Sequence, residues 1–95
     1  MSKTYPDLVQ SAAEIIKWPC DFTDSLPTGD TVASAVATHY PPSGSATNPT
    51  ETVSTPYVYV DVGPLAVTGI HKVDVLATTT NGLKFSILLT IRVDY

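Results

Sequence analysis

The sequence predicts an all-β domain, a β-sandwich of about six to seven short antiparallel strands, on the basis of three observations. Residues 69–93 alternate apolar and polar side chains, break once at Asn81-Gly82 and resume, which is typical of a hairpin with a tight turn. Other alternating segments of similar length recur between clusters of turn-forming residues. Thr, Ser and Pro are abundant and only 15% of residues are charged, a composition typical of strands and turns.

Length and charge narrow the classes of function. A chain of 95 residues is sufficient for one domain with a single core. The net charge is -4 and the five basic residues are scattered, so nucleic acid and anionic membranes find no basic patch to bind. No apolar run reaches the roughly 20 residues of a spanning helix, and no export signal is visible. The single cysteine, Cys20, cannot close an internal disulfide, which suits a cytoplasmic site of synthesis.

The N-terminal segment has only a weak pattern, and its conformation stays open. Pro6-Asp7 could begin a helical turn with a stripe of apolar residues after it, while an extended arm is equally compatible. A frayed terminus and an arm docked on a neighbour also remain open. We therefore expect an N-terminal arm or short helix over residues 1–13, followed by one sandwich domain over residues 14–95. The candidate partner contacts in this segment are Tyr5, Leu8 and Val9.

The next two segments are predicted strands joined by a turn. Residues 15–22 alternate so that Trp18 and Cys20 share an inward face, where we expect a core anchor and a small buried side chain. Pro19 cannot donate to a ladder, which predicts an edge strand or a switch between sheets. Residues 23–30 are rich in turn formers, and residues 31–40 alternate again with small residues on one face.

The middle of the chain is rich in Pro, Ser and Thr. A bare loop over residues 41–56 would be unusually long for a compact domain, so we expect a short edge strand near residues 51–55. Residues 57–62 form the next strand, with three valines inward and two tyrosines outward. The outward tyrosines of this strand, together with one at the end of the preceding one, are candidate contacts with another protein: Tyr57, Tyr59 and Tyr40.

The C-terminal hairpin has its first arm over residues 70–80 and its second over residues 83–93. The second arm places Phe85, Ile87, Leu89, Ile91 and Val93 on one face. Leu88 interrupts the polar row on the opposite face, which predicts that this arm is central in its sheet and partly covered on both sides.

Residue types that carry chemistry are present, but not in patterns that predict a reaction. Nothing around Cys20 matches a nucleophile motif, and His39 and His71 lack the spacing of a zinc site. We expect His39 to face solvent or bond to a turn, and His71 to bond to backbone at a corner. The aspartates of the 21–30 region could coordinate calcium, a possibility that stays open because their spacing differs from an EF-hand: Asp21, Asp24 and Asp30. We predict no catalytic, metal-binding or cofactor-binding residues.

Two segments together resemble a known family. Residues 21–35, followed by residues 78–82 and a closing Ile91-Arg92-Val93, resemble small tailed-bacteriophage virion proteins of the fibre-tail adaptor or decoration type. The residues that match the family pattern are Leu26, Gly29, Asp30, Thr31, Val32 and Ser34. The similarity covers most of residues 14–93, and it implies an immunoglobulin-like sandwich. His71 stands where the family often has an aromatic residue, and residues 1–13 and 41–56 have no clear counterpart.

The resemblance implies a structural protein of the virion, without enzymatic activity or cofactor, made in the cytoplasm of a bacterial host. The expected role is a decoration (cementing) protein that binds neighbouring major capsid protein subunits, often as a symmetric homo-oligomeric cluster, with the N-terminal arm and one sheet edge as clamps. The alternative is a fibre-tail or head-tail adaptor that binds tail or fibre proteins.

Two other classes compete with the virion role. A carbohydrate-binding sandwich would use Tyr40, Tyr57 and Tyr59 as a sugar platform and predicts exposed, coplanar aromatic rings. An enzyme would require an accessible Cys20 near a histidine.

Overall fold

A computed structural model describes residues 2–65 and 67–94, and these residues form a two-sheet β-sandwich. The prediction of an all-β fold is confirmed. In chain order the strands are β1 (Ser2–Val9), β2 (Ile16–Asp21), β3 (Val32–Tyr40), β4 (Glu51–Ser54), β5 (Tyr57–Val62), β6 (Gly69–Thr79) and β7 (Lys84–Val93). Within the described residues, no helix is long and apolar enough to cross a membrane.

The strands form two sheets that pack face to face. One sheet has four strands in the order β1-β7-β6-β3, and the other has three in the order β2-β5-β4. The hairpin of β6 and β7 forms the middle of the larger sheet, so the expectation that β7 is central is confirmed. β2 is an edge strand of the smaller sheet and pairs with β5 alone, as Pro19 predicts. A proline is tolerated there because an edge strand needs hydrogen-bond donors on only one side.

The core lies between the two sheets and follows the alternation of the sequence. β5 contributes Val58, Val60 and Val62, which are all buried, and every second residue from 87 to 93 of β7 is buried as well. The buried apolar set is Cys20, Phe22, Val32, Ala37, Val58, Val60, Val62, Leu65, Val73, Val75, Ala77, Ile87, Leu89, Ile91 and Val93. Trp18 is half-buried against this core rather than enclosed by it.

The N-terminal segment is neither a helix nor an arm that leaves the domain. Residues 2–9 form β1, which pairs in parallel with β7, so the expectation of only antiparallel strands is wrong for this strand. Tyr5 and Leu8 are half-buried against the core, and the Tyr5 hydroxyl accepts a hydrogen bond from the Asp21 amide (3.1 Å). The half-buried apolar side chains of this segment pack within the chain itself, because β7 offers β1 an open edge to pair with.

A register shift in β3 changes which of its residues face the core. The pairing of β3 with β6 is irregular between Val32 and Ser34, so the inward face continues with Ala35 and Ala37. Val36 consequently points outward and is 56% exposed. An extra residue at a bulge reverses the alternation that a regular strand would keep.

Gln10 lies where the chain leaves one sheet for the other, and its side chain is buried. Its backbone amide donates to the Arg92 carbonyl (3.0 Å), which continues the ladder of β1. Its side-chain Nε2 donates to the carbonyls of Glu14 (2.9 Å) and Val62 (2.7 Å), while Oε1 accepts from Trp18 Nε1 (3.0 Å). Through its backbone and side chain together, Gln10 therefore joins both sheets and the connection between β1 and β2.

Gly63 allows the backbone to approach this junction. Its φ is +123°, and a Cβ atom here would lie 2.1 Å from the Glu14 carbonyl oxygen and 2.8 Å from Gln10 Nε2. Only glycine fits both the conformation and the space. The turn after β5 is thus shaped around Gln10 and its partners.

Candidate functional site

Cys20 lies inside the core, where it acts as a small apolar side chain. It is fully buried, and burial raises the pKa of its thiol to about 12. The reactive thiolate is therefore nearly absent at neutral pH. The accessible cysteine that a cysteine-dependent enzyme requires is not present in this fold.

His39 and His71 form a pair that the sequence did not suggest. His39 Nε2 lies 2.8 Å from His71 Nδ1, and the rings stack with centroids 5.0 Å apart. His71 is buried, and its Nε2 contacts the Val67 carbonyl (2.6 Å), so its expected bond to backbone is confirmed. His39 bonds to His71 rather than facing solvent freely, and Thr47 Oγ1 lies 3.5 Å from its Nδ1.

The partners of the two rings determine where the protons lie. A carbonyl only accepts, so His71 Nε2 carries a proton and His71 Nδ1 is the acceptor for the His39 Nε2 proton. His39 Nδ1 is then free of a proton when the ring is neutral, and it faces the Thr47 hydroxyl. Burial, and secondly the repulsion that the two rings would exert on each other if both were charged, lower the pKa of His39, so its neutral form is favoured at pH 7.

A polar cleft of about 340 Å³ opens beside this pair, at one end of the sandwich. His39 and Thr47 line one side, and Asp61 and Gly63 line another. Asp61 is held by an ion pair with Lys17 (3.0 Å). The described residues contain no group of three or more His, Cys, Asp or Glu side chains that could hold a metal ion.

The three aspartates of the 21–30 region do not converge. Asp21 accepts hydrogen bonds from the amide and hydroxyl of Thr23, which is a local turn interaction, and Asp24 is exposed. Asp30 is buried and accepts from the amides of Thr31 (2.9 Å) and Asn81 (3.2 Å). These carboxylates are positioned for turns, and the geometry gives no calcium site.

Asp30 links the turn that precedes β3 to the turn of the β6–β7 hairpin. Its carboxylate bonds to Asn81 in the hairpin turn, and the Thr31 and Thr80 hydroxyls lie 2.7 Å apart beside it. Burial alone would raise the pKa of Asp30, but interactions with Thr79, Thr31 and Asn81 lower it. Thr79 contributes although the buried Oδ2 has no hydrogen bond of standard geometry. The two turns meet at one corner of the sandwich, and these hydrogen bonds stabilise that corner.

The edge strands each carry a feature that opposes pairing with another chain. β2 contains Pro19, and β1 contains Pro6 beside a register shift, so neither presents a complete row of backbone hydrogen-bonding groups. β4 is only four residues long. Along β3, Thr47 forms a bridge with His39, and Asn48 Nδ2 donates to a β3 carbonyl (2.9 Å). These features oppose the addition of a strand from another chain at the sheet edges.

The outward side of the four-stranded sheet, which we call the outer face, is the candidate functional surface. Large apolar side chains are exposed on it, and Val36 and Leu76 are direct cross-strand neighbours towards one end. A groove of about 370 Å³ runs between β1 and β6 beside Ile70 and Arg92. The exposed apolar residues of the outer face are Val9, Val36, Tyr40, Ile70 and Leu76. Such clusters mark interaction sites more often than isolated exposed residues do.

The tyrosines do not form the platform that a sugar-binding site requires. Tyr57 and Tyr59 stack on each other with centroids 6.0 Å apart and an interplanar angle of 25°, so each covers part of the other's ring face. Tyr40 belongs to β3 in the other sheet. The structure does not bring the three rings together on one face.

The predicted partner contacts thus have different placements. Tyr5 and Leu8 are half-buried between the sheets, and contact with a partner would require β1 to leave the sandwich. Val9 and Tyr40 lie on the outer face, while Tyr57 is exposed on the three-stranded sheet. The sequence missed Val36, Ile70 and Leu76 as surface residues, although their place opposite the inward residues of the same strands was a usable signal.

Comparison with known proteins identifies the fold alone. No protein-family model and no curated protein matches the chain. Among solved structures, that of InlP from Listeria monocytogenes is similar, with a TM-score of 0.59 over 98% of this chain and 17% sequence identity. The match covers 27% of InlP, so this chain spans about a quarter of that chain.

The burial of Cys20 predicts that the native protein resists alkylation. With a thiol pKa of about 12, only ~1 in 10,000 molecules carries the thiolate at pH 8. We expect no modification by iodoacetamide over an hour in buffer. Complete modification is expected in about 6 M guanidinium chloride, which unfolds the protein, and intact mass measures both. Rapid modification of the folded protein would reopen the enzyme hypothesis.

The His39 pair predicts a loss of stability in mild acid. The folded-state pKa of His39 lies below its ordinary value of 6.5, so the unfolded chain binds the proton first. The contribution of neutral His39 to the free energy of unfolding is complete above a pH of about 6.5 and is lost as the pH falls toward the lower folded-state pKa. Denaturant titrations at several pH values between neutral and mildly acidic should show a smaller pH dependence in His39→Gln than in the wild type. Equal pH dependence of the two proteins would show that His39 does not cause it.

Proposed function

We propose that this chain is a non-enzymatic building block of a protein assembly and that the outer face is its contact surface. The observation that carries this proposal is the exposure of large apolar side chains on that face, with Val36 and Leu76 towards one end and Val9 and Ile70 at the other. The residues with reactive side chains serve the fold instead: Cys20 in the core, Asp30 at the corner and His71 at the end of the sandwich.

We propose further that the assembly is the virion of a tailed bacteriophage, with the chain as a decoration protein over neighbouring capsid subunits. Support comes from the sequence resemblance and from the β-sandwich fold, which is compatible with it. Clamping by a free arm is not part of the proposal, since residues 2–9 are used within the chain's own sheet. The alternative is a fibre-tail or head-tail adaptor, which needs two separate contact surfaces.

The test is the copy number of the chain on purified virions, measured by quantitative mass spectrometry. Leu76→Asp places a charge on the outer face and is expected to reduce the copy number at least about fivefold, because desolvating a charge at a contact costs more than about 1 kcal/mol. Leu83→Asp is the matched control: Leu83 is 43% exposed against 37% for Leu76, but it lies in the hairpin turn.

Two results would contradict the proposal. Absence of the wild-type chain from virions excludes the virion role. Equal loss of the Leu76→Asp and Leu83→Asp proteins excludes the outer face as the contact surface.

A further inference from the structure

The middle of the outer face carries a row of side chains that is complementary to itself: read in the opposite direction, the apolar ends stay apolar and the two central charges exchange sign. Along β6, the outward residues are Ile70, Lys72, Asp74, Leu76 and Thr78, and the first four are apolar, positive, negative and apolar. β6 is an inner strand between β7 and β3, so this row runs along the interior of the face. The charges of Lys72 and Asp74 form no ion pair among the described residues.

A second copy of the same row satisfies this pattern when the two strands run in opposite directions. A two-fold axis lying in the interface and passing over residue 73 places Lys72 of each copy opposite Asp74 of the other. The same operation places Ile70 of each copy opposite Leu76 of the other, so apolar groups also meet. Both ion pairs and both apolar contacts form at once because the interface is isologous.

The opposite orientation is excluded by charge. If the two β6 strands ran in the same direction in register, Lys72 would face Lys72 and Asp74 would face Asp74. Like charges opposed at an interface cost several kcal/mol in unfavourable cases, so electrostatics selects one arrangement. The row therefore specifies both the partner and its orientation.

The rest of the face is compatible with such a contact. Val36 lies beside Leu76 and is 56% exposed, which extends the apolar surface to β3. Four strands about 4.8 Å apart and roughly 30 Å long give a face of about 500 to 600 Å². Two such faces bury about 1,000 Å² or slightly more, the lower limit for a specific interface.

We propose that two copies of this chain associate through their outer faces, with the β6 strands antiparallel and Lys72 paired with Asp74 across the two-fold axis. This inference rests on the proposed function, since it names the neighbour that the outer face contacts. The three-stranded sheets then lie on the outside of the dimer, available to other proteins of the assembly.

The experiment is sedimentation equilibrium on the full chain and on charge variants of the row. For the wild type we expect half-dimerisation at about 10 to 100 μM, as an interface of this size implies. Lys72→Glu and Asp74→Lys each replace two attractive contacts with two repulsive ones, and each is expected to weaken the dimer at least about tenfold. The double variant with both substitutions restores opposite charges and should recover dimerisation.

Mixing the two single variants gives the most specific result. Each is monomeric alone, but a 1:1 mixture pairs opposite charges at both positions and should form a heterodimer. Lys17→Glu is the control, because Lys17 lies on β2 in the three-stranded sheet, away from the outer face, and its charge change is the same as that of Lys72→Glu. Its exposed ion pair with Asp61 contributes little to stability. Circular dichroism of every variant checks that the fold is retained.

Three outcomes would overturn the inference: a wild-type monomer at about 1 mM, a dimer that Lys72→Glu leaves unchanged, or single variants whose mixture stays monomeric. These outcomes are separate from failure of the proposed function, which the copy number on virions reports. A monomeric chain that still binds virions through Leu76 would end the dimer proposal and leave the proposed function standing.

Discussion

The buried side chain of Gln10 is the interaction on which the architecture depends. It sits where the chain passes from the four-stranded to the three-stranded sheet, and its amide binds the carbonyls of Glu14 and Val62 and the indole of Trp18. A polar group enclosed in this way is costly unless every bond is made, and here both donor hydrogens and the acceptor are used. The positive φ and missing side chain of Gly63 complete the junction by letting the backbone come close.

The junction at Gln10 determines which strands are used within the chain's own sheets. Because the ladder of β1 continues into the Gln10 amide, the N-terminal segment completes a sheet rather than reaching for a neighbour. The remaining edges are interrupted by proline, by a short strand or by the Thr47 bridge, so strand addition is opposed. The outer face, with its central β6 row, is therefore the surface that we propose as the contact with another protein.

The sequence predicts most of the fold because its strongest signals are local. Alternation alone places Val58 and Val60 in the core, and Pro19 alone places β2 at an edge. Gln10 and Val62, by contrast, are 52 residues apart, and nothing near a glutamine announces that it will be buried. A parallel β1 depends on the open edge of β7, which exists only after the hairpin has formed.

The site was harder to predict for the same reason. His39 and His71 are 32 residues apart, and their contact needs the register of β3 against β6 as well as a bulge after Val32. That bulge also turns Val36 outward, where regular alternation of small residues leaves its direction undecided. The alternation along β6 can be seen in the sequence. Its significance depends on the position of β6 as an inner strand of an uncovered sheet face, which the sequence does not show.

Amide hydrogen exchange of β1 in the wild type and in Gln10→Ala tests the central claim most directly. If Gln10 joins the sheets, the β1 amides bonded to β7 are protected in the wild type to a degree close to those of β7 itself. In Gln10→Ala the three partners of the lost amide are left unsatisfied, and β1 should lose protection by about 2 kcal/mol or more while the β6–β7 hairpin keeps its own. Rapid exchange of β1 in the wild type, or unchanged protection in the variant, would contradict the account and return residues 2–9 to the role of a free arm.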